Sequence, residues 1–292
     1  MTSFSAETKT DAKAIKLLTI GNSFAEDATY YLSELAAAAG HELILGKANI
    51  GGCSMEKHWN LAKASEMDPA DSQNKPYEGK SLQEKISEKK WDYVTIQQAS
   101  ILSHDPSTFH PYVDQLIEYI KKHAPQAEIL LHEIWAYRSD DPQFNGRTAG
   151  STFPSSSEDM QDRIKTTYRT IAKEWGLRMI PVGDAFQMAL SDPKGKFVPD
   201  PNFKPETAKE PELPDQKNSL HTGWTWVKEK DDSKLIMDYH PSKCGKYLGA
   251  CVFFEFLFKE PVTGNSFIPE SIEKDRAHFL QTMAHKAIEG SK

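Results

Sequence analysis

The sequence predicts an α/β fold in three layers, an α/β/α sandwich whose central parallel sheet is covered by helices on both faces. Short runs rich in apolar and β-branched residues recur along the chain, and stretches with helical periodicity separate them. Strands that alternate with helices in this way form βαβ units, and their strands are parallel and buried on both faces. These two observations together favour an open sheet over a barrel of antiparallel strands.

Five runs predict the strands of the sheet. Each is mostly apolar and short, as expected of a strand that lies in the middle of a covered sheet. They occupy residues 14–20, 42–50, 91–97, 128–136 and 178–183.

The first helix is predicted by an apolar residue at every fourth position. Tyr31, Leu35 and Ala39 follow this spacing, Leu32 and Ala36 lie beside them, and a glycine at position 40 ends the pattern. Similar patterns predict further helices near 55–66, 80–89, 108–123, 157–175, 243–258 and 269–288.

Two stretches interrupt the alternation of strands and helices. Residues 138–156 and 192–234 are rich in proline, serine, glycine and charge, which predicts loops. The second is long for a loop inside a compact domain, so we expect it to be functional or to pack as an ordered excursion over the surface. The remaining pattern predicts a polar tail over residues 1–13 and a single domain over 14–292.

Charge and hydropathy exclude several classes of partner. The chain carries 35 Lys and Arg against 42 Asp and Glu, a formal net charge of -7, which argues against binding to nucleic acid or anionic lipid. It has no run of 18 apolar residues that would span a bilayer. We therefore expect a small-molecule or oligosaccharide partner. The polar N-terminus has no signal peptide pattern, which leaves both a cytoplasmic protein and an exported protein open.

The carboxyl ends of the predicted strands carry polar residues. In an open α/β sheet, ligands bind beyond these ends, where the following helices begin. The candidates selected by this rule are Gly21, Asn22 and Ser23, then Gly51, Gly52 and Cys53, then Gln97, Gln98 and Ser100, and finally His132, Glu133 and Tyr137.

A second set of polar residues lies near the end of the chain. Asp238 and His240 are expected in a turn just before another helix. A serine, a histidine and a carboxylate can act as nucleophile, general base and orienting group. Glycine-bearing turns can supply backbone N–H groups that stabilise an oxyanion. These residue types together are typical of an esterase.

Four segments carry a resemblance to a known family. GNSF (21–24), NIGGCSMEKHW (49–59), WDYVTIQQAS (91–100) and DYHPSKCGKYL (238–248) resemble the successive blocks of the SGNH (GDSL-like) hydrolase superfamily. More narrowly, they are similar to the bacterial DUF4886 group, in which GNSF replaces GDSL. The resemblance covers residues 15–258 and implies an SGNH or flavodoxin-like fold and a serine hydrolase that needs no metal or cofactor.

The resemblance implies a role for individual residues. Ser23 would be the nucleophile, His240 the base and Asp238 the carboxylate that orients it. The oxyanion would be held by the backbone N–H groups of Ser23 and Gly52 and by a side-chain amide, either Gln98 or Gln97. Two features depart from the superfamily pattern. The acid lies two residues before the histidine instead of three, and the third block has Gln in place of Asn.

Each catalytic assignment has a structural alternative. Ser23 and Glu26 fit the capping box S-x-x-E, which would make Ser23 the cap of a helix. His240, followed by Pro241, could simply begin a helix. The glycines at 51 and 52 could serve only to turn the chain.

Substrate contacts are predicted around the same strand ends. Asn22, His58, Trp59 and Tyr137 are candidates, although His58 and Trp59 could instead be packing residues. Trp224, in the long loop with Trp226, could stack on a sugar ring or fasten the loop to the domain. We expect cleavage of O-acetyl groups from a carbohydrate-like substrate. The alternatives are a lipase or acyl-thioesterase, or a carbohydrate-binding protein without catalytic activity.

Metal binding and disulfide formation are less favoured. His132 and Glu133 are adjacent in a predicted strand, so their side chains point to opposite faces and do not chelate one ion together. Three cysteines are too few for a disulfide scaffold. Cys53 and Cys244 follow two of the proposed site segments closely enough that a disulfide is conceivable, but free thiols are expected. Cys251 is expected in the core.

Overall fold

A parallel five-stranded sheet forms the centre of the structure, a computed structural model that describes residues 11–145, 151–230 and 232–291. The strand order is β2-β1-β3-β4-β5, and each strand overlaps one of the five predicted runs. The three-layer prediction is therefore confirmed for the sheet. The strands are β1 (Ala14–Gly21), β2 (Glu42–Asn49), β3 (Tyr93–Ile96), β4 (Glu128–Glu133) and β5 (Arg178–Pro181).

Helices cover both faces of the sheet, in two groups defined by their mutual contacts and, for Ser157–Trp175, by the bond from the indole N–H of Trp175 to Asp114. One layer contains α1 (Ser23–Ala28), α2 (Leu32–Ala38), α7 (Val182–Ser191), α8 (Lys243–Phe258) and α9 (Lys274–Gly290). The other contains α3 (Met55–Met67), α4 (Leu82–Ser87), α5 (Tyr112–His123) and α6 (Ser157–Trp175). Within the described residues, no helix is long and apolar enough to cross a membrane.

The strand order reverses direction between β1 and β3. The chain moves from β1 outwards to β2 and then returns across the sheet to β3, which lies on the other side of β1. At such a reversal the connections leave on opposite faces and open a ligand-binding crevice at the carboxyl ends of the strands. Ser23 follows β1 and Gln97 follows β3, so both predicted site segments lie at this point.

The first predicted helix is divided in two. Thr29 ends α1, and its hydroxyl donates a hydrogen bond of 2.7 Å to the carbonyl oxygen of Ala25. A threonine side chain that bonds back to the preceding turn competes with the helical pattern and bends or ends the helix. The apolar spacing predicted α2 correctly but did not reveal this break. As a result, Ser23 is carried by a short helix of its own.

The long predicted loop is only partly a loop. Residues 192–220 contain no regular helix or strand, but β6 (His221–Glu229) and β7 (Asp232–Pro241) form an antiparallel hairpin outside the central sheet. The prediction of a loop over 192–234 is therefore wrong from residue 221 onwards. Charged residues at the tip of the hairpin concealed the two strands in the sequence. Asp238 and His240 lie in β7 and not in a turn before a helix.

The other predicted loop and the predicted tail are described only in part. Residues 146–150 of the first loop and residues 1–10 of the tail lie outside the described residues. Within the first loop, Pro142–Phe144 form one turn of 3-10 helix. At the end of the predicted tail, the backbone N–H of Lys13 donates to Nδ1 of His41, at 3.2 Å.

Candidate active site

The turn between β1 and α1 presents the hydroxyl of Ser23. Asn22 has an extended backbone, with φ -138° and ψ -158°, and its Oδ1 accepts the N–H of Phe24 at 3.0 Å. Asn22 is thus the N-cap of α1, and Ser23 is the first helical residue. The alternative role considered for Ser23, the cap of this helix, is therefore excluded. Because the first N–H groups of a helix have no intrahelical acceptor, the backbone N–H of Ser23 is not used by the helix itself.

His240 connects Ser23 to a carboxylate. Its Nε2 lies 2.9 Å from Oγ of Ser23, and its Nδ1 lies 2.7 Å from Oδ1 of Asp238. The carboxylate accepts the Nδ1–H, which leaves Nε2 to accept the hydroxyl proton of Ser23. Because α8 begins only at Lys243, with Ser242 as its cap, His240 is not a residue of the helix start.

A β-bulge explains why an acid two residues before the histidine can reach it. Gly223 pairs with Asp238 and His221 pairs with Pro241, so Thr222 on β6 faces two residues on β7. Such bulges interrupt the ladder and redirect side chains next to active sites. The backbone N–H of His240 donates to Oδ1 of Asp238 at 2.9 Å, and the same oxygen accepts the imidazole N–H. These two bonds within the bulge place the carboxylate beside the ring.

The charges around His240 favour its protonated form. The hydrogen bond to Asp238 raises the pKa of His240, although partial burial opposes the shift. The same hydrogen bond lowers the pKa of Asp238. Asp27, one turn after Ser23 on α1, also contributes to the raised pKa of His240 and forms an ion pair of 2.9 Å with Lys246. Burial raises the pKa of Asp27 itself.

Two tyrosines stack behind the imidazole. The ring of Tyr239 lies on that of His240, with centroids 4.8 Å apart and planes 28° apart, and Tyr137 stacks on Tyr239 at 4.8 Å. Tyr137 was predicted to contact substrate, but it is buried and its hydroxyl bonds Oγ of Ser100 at 2.9 Å. Sequence reasoning did not single out Tyr239, although its position between Asp238 and His240 was a usable signal.

The predicted glycine turn lies next to the Ser23 turn. The N–H of Ile50 donates to the carbonyl of Gly21 at 3.1 Å, and Cys53 N–H closes the turn on the carbonyl of Ile50 at 3.0 Å. Gly52 has φ +63°, a conformation that favours glycine. A Cβ built on Gly52 meets no atom within 4 Å, so this side of the turn is open.

The two glutamines do not face the open side of the site, which contradicts their predicted oxyanion role. Gln97 donates to Oδ1 of Asn22 at 2.9 Å and accepts from His132 at 2.8 Å. Gln98 accepts the N–H groups of Met55 and Ala99 and donates to the carbonyl oxygen of Thr108. Both side chains are buried. Their amides hold loops together beneath the site and are not presented to a ligand.

The other predicted substrate contacts are also structural. Asn22 is buried and uses its amide within the protein. His58 is buried between the hydroxyl of Tyr77 and the carbonyl of Gly21, and burial lowers its pKa to about 4. Trp59 packs edge-on against Tyr119.

Trp224 fastens the long loop to the hairpin. It is only 9% exposed, and its backbone N–H and carbonyl both bond the side chain of Gln216, a residue of the loop. The indole N–H of Trp226 bonds the carbonyl of Glu212 in the same loop. Fastening was one of the two predicted alternatives. The structure supports it over a stacking platform for sugar.

The cysteines and the His132–Glu133 pair form neither a disulfide nor a metal site. Cys53 and Cys244 are free thiols, and Cys251 is buried. His132 bonds Gln97, whereas Glu133 accepts the N–H of Asp184, so the two side chains engage different groups. In the part of the chain that the structure describes, no three His, Cys, Asp or Glu residues lie together as a metal site would require.

Comparisons with known proteins agree with the resemblance in the sequence. The family model of DUF4886, a domain of unknown function, matches residues 16–193. The chain belongs to the DUF4886 family. A crystal structure of a DUF4886 family protein from Bacteroides uniformis is 26% identical, with a TM-score of 0.73, and the alignment covers 96% of each chain. No curated protein matches the chain.

The DUF4886 chain also aligns with a more distant solved structure. The lipase/acylhydrolase from Enterococcus faecalis is 12% identical, with a TM-score of 0.47, and the alignment covers 83% of this chain and 95% of that one. A hydroxyl bonded to an imidazole, which is bonded to a carboxylate, can deliver an activated alkoxide to a carbonyl carbon.

Proposed function

We propose that this DUF4886 protein is a serine hydrolase that cleaves ester bonds. The observation that carries the proposal is the hydrogen-bonded chain of Ser23, His240 and Asp238, with distances of 2.9 and 2.7 Å. Ser23 and His240 come from opposite ends of the chain. Neither α1 nor β7 needs the bond between them for its own hydrogen-bonding pattern. The order of nucleophile, base and orienting carboxylate is the one that acyl transfer requires.

The reaction follows from this chain of bonds. His240 takes the proton of Ser23 as Oγ attacks the ester carbonyl, and Asp238 stabilises the imidazolium that forms. The oxyanion is stabilised by the backbone N–H groups of Ser23 and Gly52. His240 then gives its proton to the leaving alcohol, which leaves an acyl-serine. Water gives a proton to the same imidazole as it attacks the acyl-serine, and His240 returns that proton to Oγ of Ser23 as the bond to the acyl group breaks and the acid leaves.

The openness of the site favours a short acyl group on a bulky polar carrier. The side chain of His240 is 35% exposed, and the space beyond Gly52 is open. A groove of about 1120 Å³ does occur, but Arg178, Phe256 and His285 line it and the three proposed catalytic residues do not. A long acyl chain would gain little burial at such an open site. An acetyl ester of a carbohydrate-like substrate fits it better than a lipid.

Two measurements test the proposal. A fluorophosphonate should label the protein, and peptide mapping should place the label on Ser23. The protein should hydrolyse p-nitrophenyl acetate faster than p-nitrophenyl dodecanoate and should release acetate from an acetylated xylan. Preference for the dodecanoate would reject the carbohydrate ester and favour a lipase. Equal rates for the wild type, Ser23→Ala and His240→Ala would reject catalysis and leave a carbohydrate-binding protein.

A further inference from the structure

A directional chain of hydrogen bonds runs beneath the Ser23 turn. Nδ1 of His132 lies 2.8 Å from Oε1 of Gln97, Nε2 of Gln97 donates to Oδ1 of Asn22 at 2.9 Å, and Nδ2 of Asn22 donates to the carbonyl oxygen of Cys53 at 3.0 Å. All three side chains in the chain are at most 1% exposed. Each amide in this chain uses its oxygen as an acceptor and its nitrogen as a donor, and a buried amide bonded in this way can be held in only one of its two orientations.

The direction of the chain fixes the tautomer of His132 at its far end. Because Gln97 uses its amide nitrogen to donate to Asn22, its oxygen must accept, so Nδ1 of His132 carries the proton. Burial lowers the pKa of His132 to about 3, which keeps the ring neutral. The ring also packs edge-on against Phe253 at 4.9 Å. A neutral, immobile donor thus anchors the chain of bonds.

The other end of the chain holds the glycine turn. Cys53, whose carbonyl accepts from Asn22, follows Gly52 directly, and Gly52 is the residue whose N–H we assign to the oxyanion. Asn22 also caps the helix that begins at Ser23. One side chain therefore contacts both segments that supply oxyanion donors. A misplacement of about 1 Å in an active site can cost about 100-fold in rate.

We propose that Asn22, held by Gln97 and His132, is a positioning residue that sets the distance between the Ser23 and Gly52 backbone N–H groups. The inference rests on the proposed function, since it assigns a purpose to the oxyanion turn. It also explains the Gln of the third sequence block. Gln97 works from below the site, through Asn22, and does not contact the substrate.

Two variants test this role: Asn22→Asp removes the donor to the Cys53 carbonyl, and Gln97→Leu removes the support of Asn22 without adding a charge beside the oxyanion, so kcat should fall in both. Aspartate caps a helix as well as asparagine does, so the bond from the Phe24 N–H is retained. The amide nitrogen that donates to the Cys53 carbonyl is replaced by a carboxylate oxygen, which repels the carbonyl oxygen. We expect kcat for p-nitrophenyl acetate to fall about 10- to 100-fold, with KM changed less than about 3-fold. Inhibition by a trifluoromethyl ketone, which binds as a tetrahedral adduct, should weaken in parallel.

Asn265→Asp is the matched control. Asn265 also bonds a carbonyl and a backbone N–H, because its Nδ2 donates to the carbonyl of Leu35 at 3.0 Å and its Oδ1 accepts the N–H of Phe267 at 3.0 Å. It loses the same kind of bond without contact to the Ser23 or Gly52 turns. Because Asn22 is 1% exposed and Asn265 is only half-buried, we expect a loss of thermal stability in both variants, larger in Asn22→Asp, and a loss of kcat only in Asn22→Asp.

The outcomes separate this inference from the proposed function. An unchanged kcat in Asn22→Asp or in Gln97→Leu, or an equal loss in Asn265→Asp, overturns the positioning role while the hydrolase stands. A wild type that neither turns over esters nor labels on Ser23 overturns the hydrolase itself, and the positioning role falls with it. If Asn22→Asp does not fold, Gln97→Leu alone tests the role, because it removes the anchor but keeps the Cys53 bond. A kcat equal to that of the wild type would then overturn the role.

Discussion

Asn22 caps helix α1 with its own side chain, and this leaves the hydroxyl of Ser23 to bond Nε2 of His240 at 2.9 Å across 217 positions of sequence. Two neighbouring residues thus divide the tasks that the sequence could not separate. Asn22 caps the start of the helix, and the hydroxyl of Ser23 points into the site. Cap and proposed nucleophile can therefore be tested independently.

Ser23→Ala should abolish ester hydrolysis and fluorophosphonate labelling while the protein stays folded. Because Asn22 provides the cap, we expect the free energy of unfolding to change by less than about 1 kcal/mol, which is the typical cost of a lost cap. Hydrolysis of p-nitrophenyl acetate and thermal denaturation measure the two effects. Residual turnover equal to that of the wild type would show that another group is the nucleophile.

Asp238→Asn should lower kcat about 10³- to 10⁴-fold, because an amide does not stabilise the imidazolium and can hold the wrong tautomer. It should also move the rising limb of the pH profile to lower pH, since the hydrogen bond to Asp238 is the main cause of the raised pKa of His240. Asp232→Asn, at the start of the same strand, is the control and should behave as the wild type. A full rate in Asp238→Asn would remove this acid from the proposed mechanism.

The activity should increase with pH through the pKa of His240. The imidazole acts as a base only when neutral, and its pKa is raised above the ordinary value of about 6.5, so kcat/KM should reach its plateau only well above that pH. The contribution of His240 to the stability of the fold changes with pH in the opposite direction. The ion pair with Asp238 stabilises the fold below about pH 6.5 and is lost as pH rises through the folded-state pKa.

Two flanking charges should shift this profile in opposite directions. Asp27 raises the pKa of His240 and Lys246 lowers it. Asp27→Asn should therefore move the rising limb to lower pH, and Lys246→Met should move it to higher pH. The limb is measured from kcat/KM between about pH 5 and 10 at constant ionic strength, because such interactions are screened by salt. Shifts of the same sign in both variants would contradict the electrostatic account.

Gly52→Ala and Gly51→Ala should differ although both positions have space for a methyl group. Only Gly52 has a positive φ, of +63°, so alanine there costs about 1–2 kcal/mol or moves the turn. We expect kcat to fall about 10-fold or more in Gly52→Ala, because an oxyanion donor is displaced, and to be nearly unchanged in Gly51→Ala. Equal kinetics in the two variants would argue against a role for the Gly52 N–H.

Tyr239 should act through its ring alone. Tyr239→Phe keeps the stack between Tyr137 and His240 and should have the kcat of the wild type. Tyr239→Leu removes the three ring contacts with Phe24, Tyr137 and His240. Such contacts contribute about 0.5–1.5 kcal/mol each, and kcat should fall because the imidazole is less well held. Steady-state kinetics with thermal denaturation distinguish this from a loss of fold. A low kcat in Tyr239→Phe would assign a function to the hydroxyl instead.

The sequence determined the sheet and most of its helices, because their signals are local. Buried strands appear as apolar runs and helices as apolar residues at every third or fourth position, so the strands and helices such as Ser157–Trp175 could be read directly. The order of the motif blocks also brought Ser23 and His240 together as candidates. Neither inference requires knowledge of which distant residues touch.

Only the tertiary structure decided the role of a side chain whose hydrogen-bond partner is distant in the sequence. The side chain of Gln98 is directed inward because its amide bonds Thr108 and Met55. The side chain of Gln97 is directed inward because its amide bonds His132 and Asn22. Asn22, and not Ser23, caps helix α1. A bulge opposite Thr222 brings Asp238 next to His240. A side chain with two polar atoms has several possible partners along the sequence, and only the folded chain selects among them, because a buried amide must satisfy its hydrogen bonds wherever the packing places it.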